Sequence, residues 1–163
     1  MADELVGDWA LVDFRIHFAD GREALEPFGP GATGWLMYSA NGRMSAVLSR
    51  ADRSPLSAPR LEAAHRASDP EKAAAFDGYL SYAGCWRREG DDVVHTVTEA
   101  LVPNIVGLEQ RRKATLNGDS LELSYTAGGH DYRLRWVRSA PRAEGLFGRH
   151  QATLEAAVRA TQI

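Results

Sequence analysis

Val93 to Leu116 reads VVHTVTEALVPNIVGLEQRRKATL. β-Branched and polar residues alternate on both sides of a Pro103-Asn104 break, so the stretch reads as two antiparallel strands joined by a loop. In the second strand Glu109, Arg111, Lys113 and Thr115 share one face, which must be wet. Gln110, Arg112, Ala114 and Leu116 share the other and therefore face inward. An inward glutamine and arginine need partners, because burying an unpaired charge costs several kcal/mol. The first strand divides into Val93, His95, Val97 and Glu99 on one side and Val94, Thr96, Thr98 and Ala100 on the other. Periodicity alone does not choose between them. If the first set is buried, His95 and Glu99 share the interior with Gln110 and Arg112.

The same alternation extends in both directions. Leu5 to Phe18, LVGDWALVDFRIHF, is rich in β-branched and aromatic residues and is long for one strand, so it is expected to bend at a bulge. Asp20-Gly21 supplies a turn after it. Trp35 to Ser39 and Arg43 to Arg50 flank Asn41-Gly42, a strong hairpin signal, and present Leu36, Tyr38, Met44, Ala46 and Leu48 on one parity. Strands follow at Ser81 to Arg88, Val93 to Val102, Glu109 to Leu116, Ser120 to Thr126 and Tyr132 to Arg138, separated by Gly-containing turns. About eight short strands without βαβ alternation argue an all-β antiparallel barrel, wide enough at that strand number for one small ligand.

Three segments stand apart. PFGPGATG (residues 27 to 34) contains G-x-G-x-x-G at Gly29, Gly31 and Gly34, but the segment after it looks like a strand and Pro30 interrupts it. The nucleotide-binding context is missing, so this is a loop. Residues 51 to 67 are polar, Pro-interrupted and partly helical. Ser68-Asp69-Pro70-Glu71 is a capping box, and the helix it opens, about residues 69 to 80, sets Ala75, Phe76, Tyr79 and Leu80 on one face. Docking of that face on the core is the plain expectation; a lid over one barrel mouth is the alternative. After Pro141, Leu146, His150, Leu154 and Val158 repeat every four residues in an Ala-rich tail that fits a terminal helix. The expected organisation is a barrel domain over residues 1 to 140 and a helical extension over 141 to 163. That extension either docks on the barrel or forms a homodimer contact.

Composition narrows the function. The 163 residues are 44% hydrophobic and 25% charged with a net charge of −3, the range of an ordinary single globular domain. Arginines are interleaved with carboxylates and form no basic stripe, which argues against a nucleic-acid partner. MADELVGDW lacks a basic n-region and an apolar h-region, and no run approaches the roughly 20 apolar residues of a membrane span, so a soluble cytoplasmic protein with no membrane partner is expected. One cysteine, Cys85, rules out an internal disulfide; beside Trp86 in a strand, it is expected to be a buried, inert thiol. No metal site or cofactor is expected: His95 and Glu99 on one strand face would lie about 13 Å apart, and the other histidines show no ligand spacing. No G-x-S-x-G elbow is present. His95 has three readings: a satisfied core histidine, a ligand contact, or a general base working with Tyr82, Tyr79 or Gln110.

The chain resembles the bacterial and fungal lipocalin-like domain proteins, small single-barrel relatives of the lipocalins. The likeness begins at LVGDWALVDF, whose Gly7-x-Trp9 looks like the lipocalin first-strand signature. It continues through GRMSAVLSRADR (42 to 53), AAAFDGYLSYAG (73 to 84), VVHTV, PNIVGLEQRR and NGDSLEL to LRWVR at Arg138. The resemblance implies that Trp9 packs against an arginine near the end of the barrel, Arg135 or Arg138. It also implies a histidine at His95, the Pro103-Asn104 turn and the Gln110-x-Arg112 pair, which favours His95 inward. The acid at Glu99 stands one position later than the pattern leads one to expect, and a one-residue slip moves a side chain to the other face.

The resemblance implies a cup for a small hydrophobic or aromatic molecule. The leading expectation is binding of such a molecule with a polar or anionic group. Trp9, Tyr38, Met44, Tyr79, Tyr82 and Trp136 would form the wall, and His95, Asn104, Gln110 and Arg112 the polar anchors. Arg112 suits a carboxylate or enolate oxygen, because its fork donates parallel bonds. The alternative is a cofactor-independent isomerase, cyclase or dehydratase of secondary metabolism, acting on a polyketide-like or aromatic metabolite. In that reading His95 is the general base and Arg112 or a tyrosine stabilises the oxyanion.

Overall fold

A computed structural model describes residues 3 to 58 and 60 to 139. The proposed terminal helix over residues 141 to 163 lies outside the described residues. Eight antiparallel strands form a closed barrel in simple meander order. They are β1 (Gly7–Phe18), β2 (Thr33–Tyr38), β3 (Arg43–Ser49), β4 (Tyr79–Glu89), β5 (Asp92–Ala100), β6 (Glu109–Asn117), β7 (Ser120–Ala127) and β8 (His130–Arg138). β8 pairs with β1 to close the wall, so among the described strands no sheet edge remains to recruit another. Between β3 and β4 lie a 3-10 helix (Leu61–Arg66) and the α-helix α1 (Asp69–Asp77).

Two bulges decide which side chains enter the barrel. In β1 the register with β8 shifts between Leu11 and Asp13, leaving Val12 outward and 52% exposed. Trp9 and Leu11 therefore point inward before the bulge and Phe14 after it, although their parities differ. In β5 the register with β4 jumps from Gly84↔Val97 to Ala83↔Glu99, passing over Thr98. Val97 stays buried and Glu99 turns outward to solvent, which removes it from the interior. Gly84 makes this possible: a Cβ there would sit 2.0 Å from the Thr96 carbonyl oxygen.

One end of the barrel is sealed. Trp9 is fully buried and its indole donates to the Leu5 carbonyl oxygen at 2.9 Å. Arg138, not Arg135, is the arginine over it, 4.2 Å from the ring, and it also donates to the Val6 and Glu4 carbonyls. Gly7 explains the Gly-x-Trp spacing: at φ 141° it occupies glycine territory, and a Cβ would lie 2.9 Å from the Arg138 guanidinium. Arg135 pairs instead with Asp13 on the outer surface, and that guanidinium holds the Asp13 carboxyl below its ordinary range. Tyr38 and Trp86 pack above this plug with centroids 4.7 Å apart.

Four expectations need correction. The first strand starts at Gly7, because Leu5 belongs to the turn that caps the plug. The helix stops at Asp77, with Gly78 as its C-cap, so Tyr79 and Leu80 are the first residues of β4. No residue of α1 is buried and Phe76 is 47% exposed, so the helix does not dock its face on the core. Cys85 is exposed rather than buried, because its parity on β4 is opposite to that of Gly84 and Trp86. The capping box does form: the Ser68 amide and hydroxyl both donate to a Glu71 carboxylate oxygen, at 2.8 and 2.6 Å. The Ser57 amide adds a bond at 2.7 Å, and these donors hold the Glu71 carboxyl at about 2.

Candidate functional site: a cavity above a tyrosine-histidine-tyrosine chain

The barrel encloses a cavity of about 70 Å³. Phe14, Leu36, Ala46, Leu48, Leu80, Leu123 and Leu134 give it an apolar wall, and Tyr82, Arg112, Tyr125 and Trp136 bring the polar atoms. These side chains come from seven of the eight strands, all but β5, so strand register places the site rather than any single loop.

Arg112 is the charge of the cavity. β6 alternates as its sequence requires, with Glu109, Arg111 and Lys113 exposed and Gln110, Arg112 and Ala114 on the inner side. Arg112 donates to the Gln110 side-chain oxygen at 3.2 Å and to the Arg111 carbonyl at 2.9 Å. Its guanidinium lies 3.9 Å over the Tyr125 ring. No carboxylate pairs with it among the described residues. The outward arginines of the same region differ: Arg87 bridges Glu89 and Glu109, and Arg111 bridges Glu89 and Asp92.

His95 lies behind the cavity. It pairs with Gln110 on β6 and Trp86 on β4, and its side chain is fully buried. The Tyr38 hydroxyl is 2.6 Å from Nε2 and the Tyr82 hydroxyl 3.0 Å from Nδ1, so both ring nitrogens are occupied. Burial, with Arg112 nearby, lowers the imidazole from 6.5 to about 3, so the ring is neutral at ordinary pH. A neutral imidazole has one donor and one acceptor nitrogen. Tyr38 is 2% exposed and its hydroxyl has no other partner among the described residues, so its proton must go to Nε2. Nδ1 then carries the ring proton and donates it to the Tyr82 oxygen. That leaves the Tyr82 O–H free to donate into the cavity. Burial raises both tyrosines above their ordinary value, Tyr38 the more strongly, so both stay protonated donors.

The expected site residues are thus sorted into three places. Tyr82, Arg112 and Trp136 line the cavity; His95, Tyr38 and Gln110 stand behind it and fix those that do. Trp9 and Met44 are core residues and do not line the cavity. Tyr79 faces outward, with Arg53 4.9 Å over its ring, because its parity is opposite to that of Leu80 and Tyr82. Asn104 is exposed on a 3-10 turn (Pro103–Ile105) beyond the strand ends and cannot anchor a ligand in the barrel. A general-base role for His95 in contact with substrate does not fit either, since no lone pair of its ring faces the cavity. Tyr125 was not among the expected site residues. Its signal was the period-two set Leu121, Leu123 and Tyr125 on β7.

A larger surface cleft of about 470 Å³ opens between residues 50 to 56 and α1. Much of its polar lining is already committed: Arg50 to Asp52, Arg53 to the Ala75 carbonyl, and Glu71 to Ser57 and Ser68. Among the described residues no three His, Cys, Asp or Glu side chains group closely enough to hold a metal ion. No described helix is long and apolar enough to cross a membrane.

The family comparison agrees with this architecture. A lipocalin-like domain model matches residues 6–138. No curated protein matches the chain. Similar solved structures include a lipocalin-like protein from Bacteroides uniformis, at 16% identity, 82% coverage of this chain, 98% of the other and a TM-score of 0.43. Lipoprotein YedD from Klebsiella pneumoniae is similar at 9% identity, covering 100% of this chain and 91% of the other with a TM-score of 0.43. The fluorescent protein UnaG is similar at 14% identity, covering 85% and 100% with a TM-score of 0.40. The family match runs from the Gly7-x-Trp9 strand to the arginine stacked on its tryptophan: the chain belongs to the lipocalin-like domain family.

Proposed function

We propose that the protein binds a small, largely apolar or aromatic molecule bearing an anionic oxygen inside the barrel. The observation that carries this reading is Arg112, a cation at an apolar cavity with no carboxylate partner among the described residues. A partly desolvated charge held by one amide, one carbonyl and an aromatic face retains N–H groups for an incoming acceptor. Arg112 also imposes a positive field on its surroundings, since it works to lower the proton affinity of His95, Tyr38, Tyr82 and Tyr125. An anion would be stabilised by that field. The enzymatic alternative has less support: its base would be a histidine whose two nitrogens are both engaged by tyrosines.

Native mass spectrometry of freshly purified protein, before and after denaturing extraction, tests the reading. An acidic adduct released on unfolding is expected. Arg112→Leu, which keeps an apolar stem and removes the fork, is expected to lower its occupancy at least tenfold, about 1.4 kcal/mol or more of binding. Equal occupancy of wild type and Arg112→Leu would remove the anionic anchor from the proposal.

A further inference from the structure

We infer that the indole N–H of Trp136 is a second anchor for the ligand's head group, and that the site takes a short aryl-substituted carboxylate. This inference rests on the binding reading above and makes its ligand class specific.

Trp136 lines the cavity, is 2% exposed, and its Nε1 has no hydrogen-bond partner among the described residues. Buried donors are rarely left unpaired, and one that is calls for an explanation. The other indoles turned into the barrel are satisfied: Trp9 donates to Leu5 at 2.9 Å and Trp86 to Ser39 at 3.0 Å. Three buried side-chain atoms lack a partner among the described residues, namely His130 Nδ1, Ser139 Oγ and Trp136 Nε1, and of these only Trp136 belongs to the cavity wall. Its neighbours across the strands are Leu11 on β1 and Leu121 on β7, which offer no side-chain acceptor. A ligand in the cavity that Trp136 lines would supply the missing acceptor.

The cavity's polar groups then select the ligand. Trp136 and Arg112 can only donate, and Tyr82 has its proton to give because His95 Nδ1–H already occupies its oxygen. Among the described residues no carboxylate or amide side chain lines the wall to receive a ligand N–H. Three donors, with only the Tyr125 hydroxyl able to accept as well as give, favour a head group that presents acceptors. Among the described residues only one cation lines the cavity, which balances a monoanion and leaves a phosphate dianion undercompensated. A carboxylate offers two oxygens, enough to meet Arg112 and Trp136 together within a space this small.

Size decides where the remainder lies. About 70 Å³ is well short of the ~150 Å³ that accommodates a benzene ring in an apolar protein cavity. The enclosed space holds the carboxylate and a short linker. A ring would extend towards the aromatic series that starts at the cavity: Tyr125 stacks on Tyr132 at 4.6 Å, Tyr132 meets Phe14 at 6.4 Å, and Phe14 meets Phe28 at 6.2 Å.

The test is a titration of ¹⁵N-labelled protein with 3-phenylpropanoate, its amide and 3-phenylpropylamine, following the assigned Trp136 indole N–H. The acid is expected to bind and move that resonance downfield, and the amide and amine to bind at least tenfold more weakly. Trp136→Phe, which removes the N–H but keeps an aromatic ring, is expected to bind the acid about fivefold or more weakly. Acid binding with an unmoved Trp136 resonance and equal affinity in Trp136→Phe would overturn the inference while leaving the binding reading intact. A preference for the amine would overturn the assigned class. Failure of wild type to bind 3-phenylpropanoate, with no acidic adduct in the native spectrum, would overturn the reading itself. The wild-type resonance is informative even if Trp136→Phe does not fold.

Discussion

Moving from pH 7 to pH 5 is expected to cost the protein about 2 kcal/mol of stability through His95 alone, rising to about 4 kcal/mol by pH 3. The sign follows from the direction of the shift. Burial lowers the folded-state imidazole from 6.5 to about 3, so below 6.5 the unfolded chain takes up a proton that the folded chain refuses. The contribution is complete above 6.5 and is lost as pH falls from there towards about 3. This is the reverse of a histidine paired with a carboxylate, whose contribution grows in acid. Urea unfolding at pH 7, 6 and 5 measures it, because ordinary carboxylates remain largely ionised over that window.

His95→Gln isolates the effect from the other histidines. A glutamine amide offers one donor group and one acceptor to Tyr38 and Tyr82 but cannot titrate. The variant is expected to be less stable at pH 7 by about 1–3 kcal/mol, the cost of imperfect hydrogen bonds in a buried site. Its pH 7 to pH 5 loss should be smaller than that of wild type by most of the 2 kcal/mol. Parallel pH curves for the two proteins would mean that His95 is not held neutral. Neutrality also matters for binding, because the Nδ1–H tautomer is what frees the Tyr82 proton for a ligand.

The inner face of β6 was legible because its alternation is unbroken: Gln110, Arg112, Ala114 and Leu116 could occupy only one side. Glu99 was not legible, because the bulge at Thr98 arises from the close approach of β4 at Gly84, a tertiary fact with no local signature. A bulge in the long first strand could be expected from its length. Its position at Val12, which lets Trp9 and Phe14 share the interior, could not. Tyr79 is ambiguous in sequence because Ala75, Phe76, Tyr79 and Leu80 satisfy a helical spacing, while the chain leaves the helix at Gly78 and starts a strand one residue later. His95 as an inward residue was reachable only through the family likeness, since the strand pattern leaves both faces of β5 open. Its two tyrosine partners were not, since they stand 57 and 13 residues away and meet only through register.

Register at the β4–β5 bulge therefore sets much of the site, and Gly84→Ala should show it. The methyl group would meet backbone atoms, with Thr96 O at 2.0 Å, Thr96 C at 3.0 Å and Thr98 N at 3.1 Å, so no rotamer change can relieve it. The strands must separate or the bulge must move. Either change disturbs Tyr82, two residues away on β4, and with it the Tyr82 contact to His95 Nδ1 at 3.0 Å. Overpacking against fixed backbone belongs at the upper end of core substitutions, so a loss of at least about 3 kcal/mol is expected. At about 2–4 °C per kcal/mol for a chain of this size, Tm should fall by roughly 10 °C. Gly118→Asn is the control. At φ 57° with no neighbour near the added Cβ, it needs a left-handed residue but no space, and asparagine tolerates that conformation. Its Tm should change by no more than a few degrees. If Gly84→Ala melts like this control, β4 and β5 do not approach as closely as 2.0 Å implies, and Glu99 loses the bulge that keeps it outside. If it melts roughly 10 °C lower and binds 3-phenylpropanoate more weakly where still folded, the same glycine that lets the barrel close also holds the donor chain behind the cavity in place.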